Sequence, residues 1–415
     1  MNSGALSTRL ERSISHIDAA AWSRLSGAQP YTNYRWLQVV EEAIRGGASA
    51  RYFLHYSDDR LLGAAVTYEI RNAGESHIVD ALIFGRVTRL FALFGISICP
   101  ALLCGPLVGH GGCVLWDREI DEPVRTQLLT RLMGELKDYA ASQGMSLVFT
   151  QLPPNEAGVL EPALPAEICR SHNLPISYID IEWETFSDYL SSLSASGKNM
   201  PTKARREVRF AAKSNLECVN PRDVSGDWHE IQGLWEQTQR RHSWSPSPYK
   251  SDFPASLARI GHDVSIVNLA RTDDRLLGAA LLLVSGTSAA GPVIGVSDDV
   301  RARKSFTYFN LAIYEPIRFA IENGLRRVYL GASSYELKRR RGCSELPLRM
   351  YIWPRSRPGR ILMRIWCWVH RRWTGNALGR QGVLPDTLHA RSRAVERVRQ
   401  KNRGDFDRET SQNSA

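Results

Sequence analysis

The heptapeptide Asp-Arg-Leu-Leu-Gly-Ala-Ala occurs twice, at Asp59–Ala65 and Asp274–Ala280, displaced by 215 positions in a chain of 415 residues. Seven identical residues in order point to a duplicated unit, and the flanks extend the match. ARYFLHYSDDRLLGAAVTYEI and SIVNLARTDDRLLGAALLLVS each set an apolar run, a polar Asp-Asp-Arg turn and a second apolar run, the pattern of a β-hairpin. Each copy is followed by a helical pattern that closes on a glycine and feeds a strand. LLTRLMGELKDYAASQGMSLVFTQL stops at Gly144 and LAIYEPIRFAIENGLRRVYLGAS stops at Gly324, where glycine is the expected terminator. Two similar α/β units in tandem follow, and the chain length suits two domains. The expected boundaries are an N-terminal extension over 1–14, a first domain over 15–160, a linker over 161–175, a second domain over 176–355 and a tail over 356–415. The linker is placed by the prolines of LPPNEAGVLEPALPAEICRSHNLPI.

Charge separates the tail from the rest. The net charge is +10, and from Arg355 to Ala415 there are fourteen Lys or Arg against five Asp or Glu, a balance of +9, so residues 1–354 carry +1. Thirteen of those fourteen cations are arginine, with Trp366, Trp368 and Trp373 interleaved. Arginine suits bidentate contact with phosphate, so an RNA backbone, an anionic lipid surface or a phosphorylated substrate are sensible partners. Leu362, Ile365, Trp366 and Val369 fall at helical spacing and predict a short amphipathic helix whose stripe packs on the second domain, with a membrane interface as the alternative. Leu90–Gly109 runs twenty residues without a charge, but Gly95, Pro100, Gly105 and Pro106 break it, so short buried strands are expected there and no transmembrane span. Seven scattered cysteines without a Cys-x-x-Cys pair and a start unlike a signal peptide suggest reduced thiols and a cytoplasmic protein.

Metal chemistry is not expected: the ten histidines include no His-x-x-x-His and the cysteines lack ligand spacing. No Walker loop, Gly-x-Ser-x-Gly elbow or Gly-x-Gly-x-x-Gly is present, which disfavours nucleotide hydrolysis, serine hydrolysis and dinucleotide redox reactions. Gly105–Gly112, rich in glycine, reads as a surface loop with a weaker reading as an anion cradle. The denser group lies between Val300 and Gly342. Arg301, Arg303 and Lys304 precede a helix whose start could hold a phosphate. After the strand VYLGAS comes Gly331-Ala-Ser-Ser-Tyr335-Glu336-Leu-Lys338-Arg-Arg-Arg341-Gly342, a cluster of cations at a strand exit, where open α/β sheets bind ligands. In SGKNMPTKARREVRFAAKS, Ala204, Val208, Ala211 and Ala212 mark an apolar stripe and Lys203, Arg206, Arg209 and Lys213 a cationic face.

These residues resemble a known family. The element order is similar to the GNAT acyltransferase fold, and two such domains with a basic helix opening the second resemble the Fem-type aminoacyltransferases and their peptidoglycan or polysaccharide biosynthesis relatives. The resemblance spans roughly residues 15 to 355 and is tightest over YFNLAIYEPIRFAIENGLRRVYLGASSYELKRRRGCSELPLRMY, with its glycine, lysine, glycine signature. It implies an α/β fold of mixed α+β sheets in tandem GNAT-like domains. The implied activity is transfer of an acyl or aminoacyl group from an activated donor to a primary amine of a small metabolite or envelope precursor, with no tightly bound cofactor. It also implies that Lys338 steadies the donor and the transition state, that Glu336 orients it, and that Tyr308, Tyr314 or Tyr335 protonates the leaving group. Arg301-Ala-Arg-Lys-Ser-Phe stands where GNAT enzymes carry the glycine-rich pyrophosphate loop, so side-chain cations would have to serve. Arg301, Arg303, Lys304, Arg341, Arg206 and Arg209 are the donor-binding candidates. That departure favours aminoacyl-tRNA, bound by the helix at 203–213 and the tail, over an acyl-CoA or carrier-protein thioester. A catalytically silent polyanion-binding twin is the reading of another class.

Overall fold

The computed structural model describes residues 6–380 apart from 45–47, 72–76, 166, 242–248 and 273–274. The first half runs β1 (Leu6–Glu11), α1 (Ala19–Ser26), α2 (Tyr34–Ala43), β2 (Ala48–Ser57), β3 (Arg60–Ile70), α3 (His77–Phe84), α4 (Thr88–Leu93), β4 (Ala101–Cys104), β5 (Val114–Trp116), α5 (Glu122–Ser142), β6 (Ser146–Leu152) and α6 (Pro154–Leu160). The chain continues through β7 (Cys169–Asp180), α7 (Phe186–Ser192), α8 (Met200–Lys213), β8 (Glu217–Val219), α9 (Trp228–Arg241), α10 (Phe253–Ser256), β9 (Ser265–Thr272), β10 (Arg275–Ser285) and β11 (Ser288–Val296). It ends with α11 (Val300–Lys304), α12 (Thr307–Phe309), α13 (Glu315–Glu322), β12 (Arg327–Tyr329), α14 (Tyr335–Arg339), β13 (Ser344–Trp353) and α15 (Arg357–Arg380).

From Arg60 and Arg275 onward both heptapeptides lie in the second strand of an antiparallel hairpin, β2–β3 and β9–β10; Asp59 is in the turn before β3, and Asp274 falls outside the described residues. The register of both hairpins shifts at the same place. His55 faces Gly63 and Tyr56 faces Leu61, leaving Leu62 as the extra residue; Ala270 faces Gly278 and Arg271 faces Leu276, leaving Leu277. The glycines answer to the helices above them. A Cβ at Gly63 would lie 2.7 Å from Leu128 on α5, and one at Gly278 would lie 2.6 Å from Leu311 in the turn leading into α13. A side chain in either place would force the covering leucine to shift. Gly144 and Gly324, at φ +64° and +63°, end the two helices in the left-handed conformation.

The thirteen strands form one mixed sheet, in the order β1-β2-β3-β4-β6-β13-β7-β12-β11-β10-β9-β8, with β5 paired to β3. Each half has its parallel pair, β4 with β6 and β11 with β12. The halves then exchange their next strands. β7, which follows β6 in the chain, pairs with β12, while β13, which follows β12, pairs with β6; β7 and β13 pair with each other at the centre. The expected linker at 161–175 is therefore corrected, since from Cys169 it is the start of a central strand, and Pro175 sits where the β7–β13 register shifts. The expected N-terminal extension is corrected too, because Leu6–Glu11 pairs with β2 and Ile14 is fully buried.

One core cluster joins the halves: Trp22 and Trp36 of the first pack in the same apolar body as Trp228, Trp235 and Phe253 of the second. Gly105–Gly112 is not a surface loop: it is largely buried, and the Gly112 N–H donates to the buried Glu156 carboxylate at 2.8 Å. Gly109 fits under the Tyr31 ring and Gly112 against Thr32, and His110 is buried between Tyr31 and Tyr329, with ring centroids at 5.1 and 4.6 Å. Leu90–Gly109 is divided into the end of α4, a turn and β4, and no helix among the described residues is long and apolar enough to cross a membrane. All seven cysteines are free thiols.

Candidate functional site

The parallel pair β11–β12 runs in register only from Ser288–Arg327 to Ala290–Tyr329. β12 then ends while β11 continues along β10 to Val296, so the sheet opens at this point. The chain leaves β12 through Leu330–Ser334. Gly331, Ser333 and Ser334 all have positive φ, at +74°, +74° and +52°; two serines in that region are strained and need holding in place.

Lys338 does the holding. From α14 its Nζ donates to the carbonyl oxygens of Leu330 at 2.7 Å, Gly331 at 3.0 Å and Ala332 at 3.3 Å, which engages all three ammonium protons. The side chain is 2% exposed, and burial pushes its pKa down to about 8, with the Cys343 thiolate form acting in the opposite direction. The expected direct contact between this ammonium and a donor is thus corrected: the charge is inside the loop. Because a trans peptide sets C=O and the following N–H on opposite sides, gathering these carbonyls turns the amides of Gly331, Ala332 and Ser333 away from the lysine.

The other expected residues divide by burial. Glu336 does not orient Lys338; it is exposed and pairs with Arg339 at 3.2 Å and Arg340 at 2.8 Å. Arg341 is fully buried, its guanidinium held by Glu207 on α8 at 2.7 Å, by the Tyr314 hydroxyl at 3.0 Å and by the Leu337 carbonyl, so it joins α8 to α14 and cannot reach a donor phosphate. The Tyr314 hydroxyl donates to the same glutamate, and Tyr335 donates to the Pro175 carbonyl at 2.9 Å. Burial raises the pKa of both phenols, and each proton has a structural partner. Tyr308 differs: it is half-buried and lies against the Ser334 side chain at the strained loop. It is the tyrosine of the three placed to meet a reacting group.

Arg301 and Arg303 are exposed within the short α11, which Lys304 closes, and α12 begins three residues later at Thr307, so the three cations do precede a helix. The first-turn amide of α11 is already capped by Asp299, whose carboxylate accepts from the Arg301 N–H at 2.8 Å and pairs with Arg275 at 3.3 Å. A phosphate at the start of α11 would meet that carboxylate, whereas the start of α12, the helix that follows the three cations, carries no side-chain cap.

A cationic cleft lies instead on the outer side of α14. It has a volume of about 810 Å³ and is lined by residues 195–200, Lys203, Glu336, Arg339 and Arg340. Its floor is the start of α8, a helix of 14 residues whose Asn199 cap makes no side-chain bond and whose first turn carries Pro201. The positive end of that helix, Lys198, Lys203 and the Glu336-paired Arg339 and Arg340 face one volume with a net excess of cations, which suits an anion. Arg206 and Arg209 are exposed farther along α8 and do not line it. Arg339 and Arg340 belong to the cation cluster expected at the strand exit, whereas Lys198 carried no distinguishing signal in sequence, since only the packing of α7–α8 beside α14 brings it to them.

The comparisons with known proteins bear on this arrangement. The FemAB-like family, described as peptidoglycan biosynthesis/recognition, matches residues 13–356. Among solved structures, the C-terminal domain of a protein described as a lysylphosphatidylglycerol synthetase from Agrobacterium fabrum is similar with a TM-score of 0.52 at 12% identity, over 86% of this chain and 97% of that one. FemX is similar with a TM-score of 0.52 at 12% identity, over 80% of this chain and 93% of its own. At such identities the likeness to both is one of fold. No curated protein matches the sequence.

Proposed function

The chain belongs to the FemAB-like family of GNAT-fold acyltransferases, and on that premise we propose that it transfers an aminoacyl group from aminoacyl-tRNA to the primary amine of a small metabolite or cell-envelope precursor. The cationic cleft beside α14 carries the reading. Lys198, Lys203, Arg339 and Arg340, with the N-terminus of α8, offer sequence-independent phosphate contacts on the outer side of α14, the helix that also carries Lys338.

In the reaction, the acceptor nitrogen attacks the ester carbonyl of the donor, a tetrahedral oxyanion forms, and the tRNA ribose oxygen leaves with a proton while the amine loses one. The amides of Gly331 and Ala332 are the donors suited to the oxyanion, that of Ser333 being bonded to the Tyr335 hydroxyl, and Lys338 is the positioning residue that fixes them by holding the carbonyls on the other side. Tyr308 is suited to protonate the leaving oxygen, since its pKa is raised by burial and the phenol keeps its proton at neutral pH.

The test is a binding titration. Lys203→Glu combined with Arg340→Glu is expected to weaken aminoacyl-tRNA binding tenfold or more and to reduce its dependence on salt, with an unchanged melting temperature because both side chains are exposed. Unchanged tRNA affinity, together with saturable acyl-CoA binding competed from the same cleft, would move the donor to a thioester.

A further inference from the structure

α15 packs on the sheet through Met363, Cys367, Thr374 and Leu378, each under a tenth exposed, and His370 ties it to β7 through the Ser171 hydroxyl at 2.9 Å. The predicted stripe of Leu362, Ile365, Trp366 and Val369 is therefore corrected: only Trp366 of the four turns inward, and the other three are exposed. The outer face shows Ile361 at 65%, Ile365 at 58%, Trp368 at 53% and Trp373 at 47% exposure. A second exposed apolar group adjoins it. Trp366 packs on Phe91 of α4 with ring centroids at 5.1 Å, and beside Phe91 the chain presents Leu90, Leu93 at 83% and Phe94 at 72%.

Charge accompanies this surface. Arg355–Arg380 holds seven arginines and no aspartate or glutamate. Arg364 and Arg371 fall on one flank of the outer stripe by helical spacing, and Arg372 stacks over Trp368 at 4.7 Å. We propose that α15 and the α4 turn form a docking face for an anionic lipid bilayer, with α15 lying in the plane of the interface. At 24 residues the helix is about 36 Å long, and it is not apolar enough to cross. RNA would satisfy the arginines but leave Ile361, Ile365, Leu93 and Phe94 without a partner. An apolar protein partner would leave an unbroken set of arginines without counter-charge. A lipid headgroup layer above acyl chains accommodates both, with tryptophan at the boundary and arginine stems along the apolar surface. This inference is independent of the donor and acceptor chemistry.

The experiment is co-sedimentation of the full chain with vesicles of phosphatidylcholine alone and of phosphatidylcholine with phosphatidylglycerol at 3:1. Binding is expected to be at least tenfold stronger to the anionic vesicles. It should fall tenfold or more in the charge-neutral variants Ile365→Ser/Trp368→Ser and Leu93→Ser/Phe94→Ser, and also in Arg364→Gln/Arg371→Gln. Circular dichroism should be unchanged in all three, because the substituted apolar side chains are exposed. Three results would overturn the proposal: no vesicle binding, vesicle binding that the serine variants leave intact, or a wild-type dimer in sedimentation equilibrium that Ile365→Ser/Trp368→Ser dissolves. RNA binding lost in the arginine variant and retained in both serine variants, without vesicle binding, would assign the face to nucleic acid instead.

Discussion

An ammonium that donates to three carbonyls inside a loop governs that loop differently from one that faces a substrate. Lys338 is held near pKa 8 by burial, so above that pH it loses one of its three donors and the restraint on Ser333 and Ser334 weakens. Between about pH 8 and the ordinary 10.5, the folded protein holds fewer protons on this group than the unfolded chain does, so its contribution to stability rises with pH. Activity and stability should therefore diverge: kcat is expected to fall above pH 8 while this group does not lower the melting temperature. Lys338→Ala should reduce kcat about a hundredfold, change KM little and abolish the pH 8 limb, read by steady-state kinetics across pH. A variant with wild-type kcat, or a limb that persists without the lysine, would remove Lys338 from the mechanism. The place of Lys338 between two glycines at a strand exit was legible in the sequence. Its mode of action was not, because nothing local to Glu336, Lys338 and Arg341 says which long side chain turns inward.

The hairpins make the clearest statement about elements. Both heptapeptides bulge at the leucine before the glycine, and both glycines lie under a leucine of the covering helical segment. Gly278→Ala should destabilise by about 1–3 kcal/mol through overpacking against Leu311, and Gly63→Ala similarly against Leu128. In Gly278→Ala/Leu311→Ala the new methyl enters the space vacated by the leucine, so the double variant should be less destabilised than the sum of the singles. Urea denaturation of the four proteins of the cycle measures this, and simple additivity would show that the two residues do not press on each other. The tail helix gives the opposite lesson. Its existence and amphipathic character were readable from the spacing of its apolar residues, but Met363, Cys367 and Leu378 form an equally valid stripe, and only the sheet beneath decides which stripe is covered.

At the scale of the whole molecule, the strand exchange makes the halves mutually dependent. A fragment of residues 1–160 would leave β6 without β13, and residues 161–415 would leave one flank of β13 unpaired; both would expose the shared core around Trp22, Trp36 and Trp235. Each fragment alone is expected to lack a cooperative thermal transition, whereas co-expression should restore a stable complex recovered in one size-exclusion peak. Cooperative unfolding of either fragment by itself would show that the exchange is dispensable.

Duplication, hairpins, helix stops and the excess of arginine in the tail were all written in short stretches of sequence, because each depends on spacing or composition within one element or on an exact repeat. The tertiary structure alone decided what crosses between elements. It turned a proline-bearing stretch into the central strand β7, placed Arg341 against Glu207 across 134 positions, and assembled a cationic cleft from two segments more than 130 residues apart. The physical reason is that a buried charge or strand must find its partner wherever the packed chain supplies one, and the sequence around either partner carries no mark of the other.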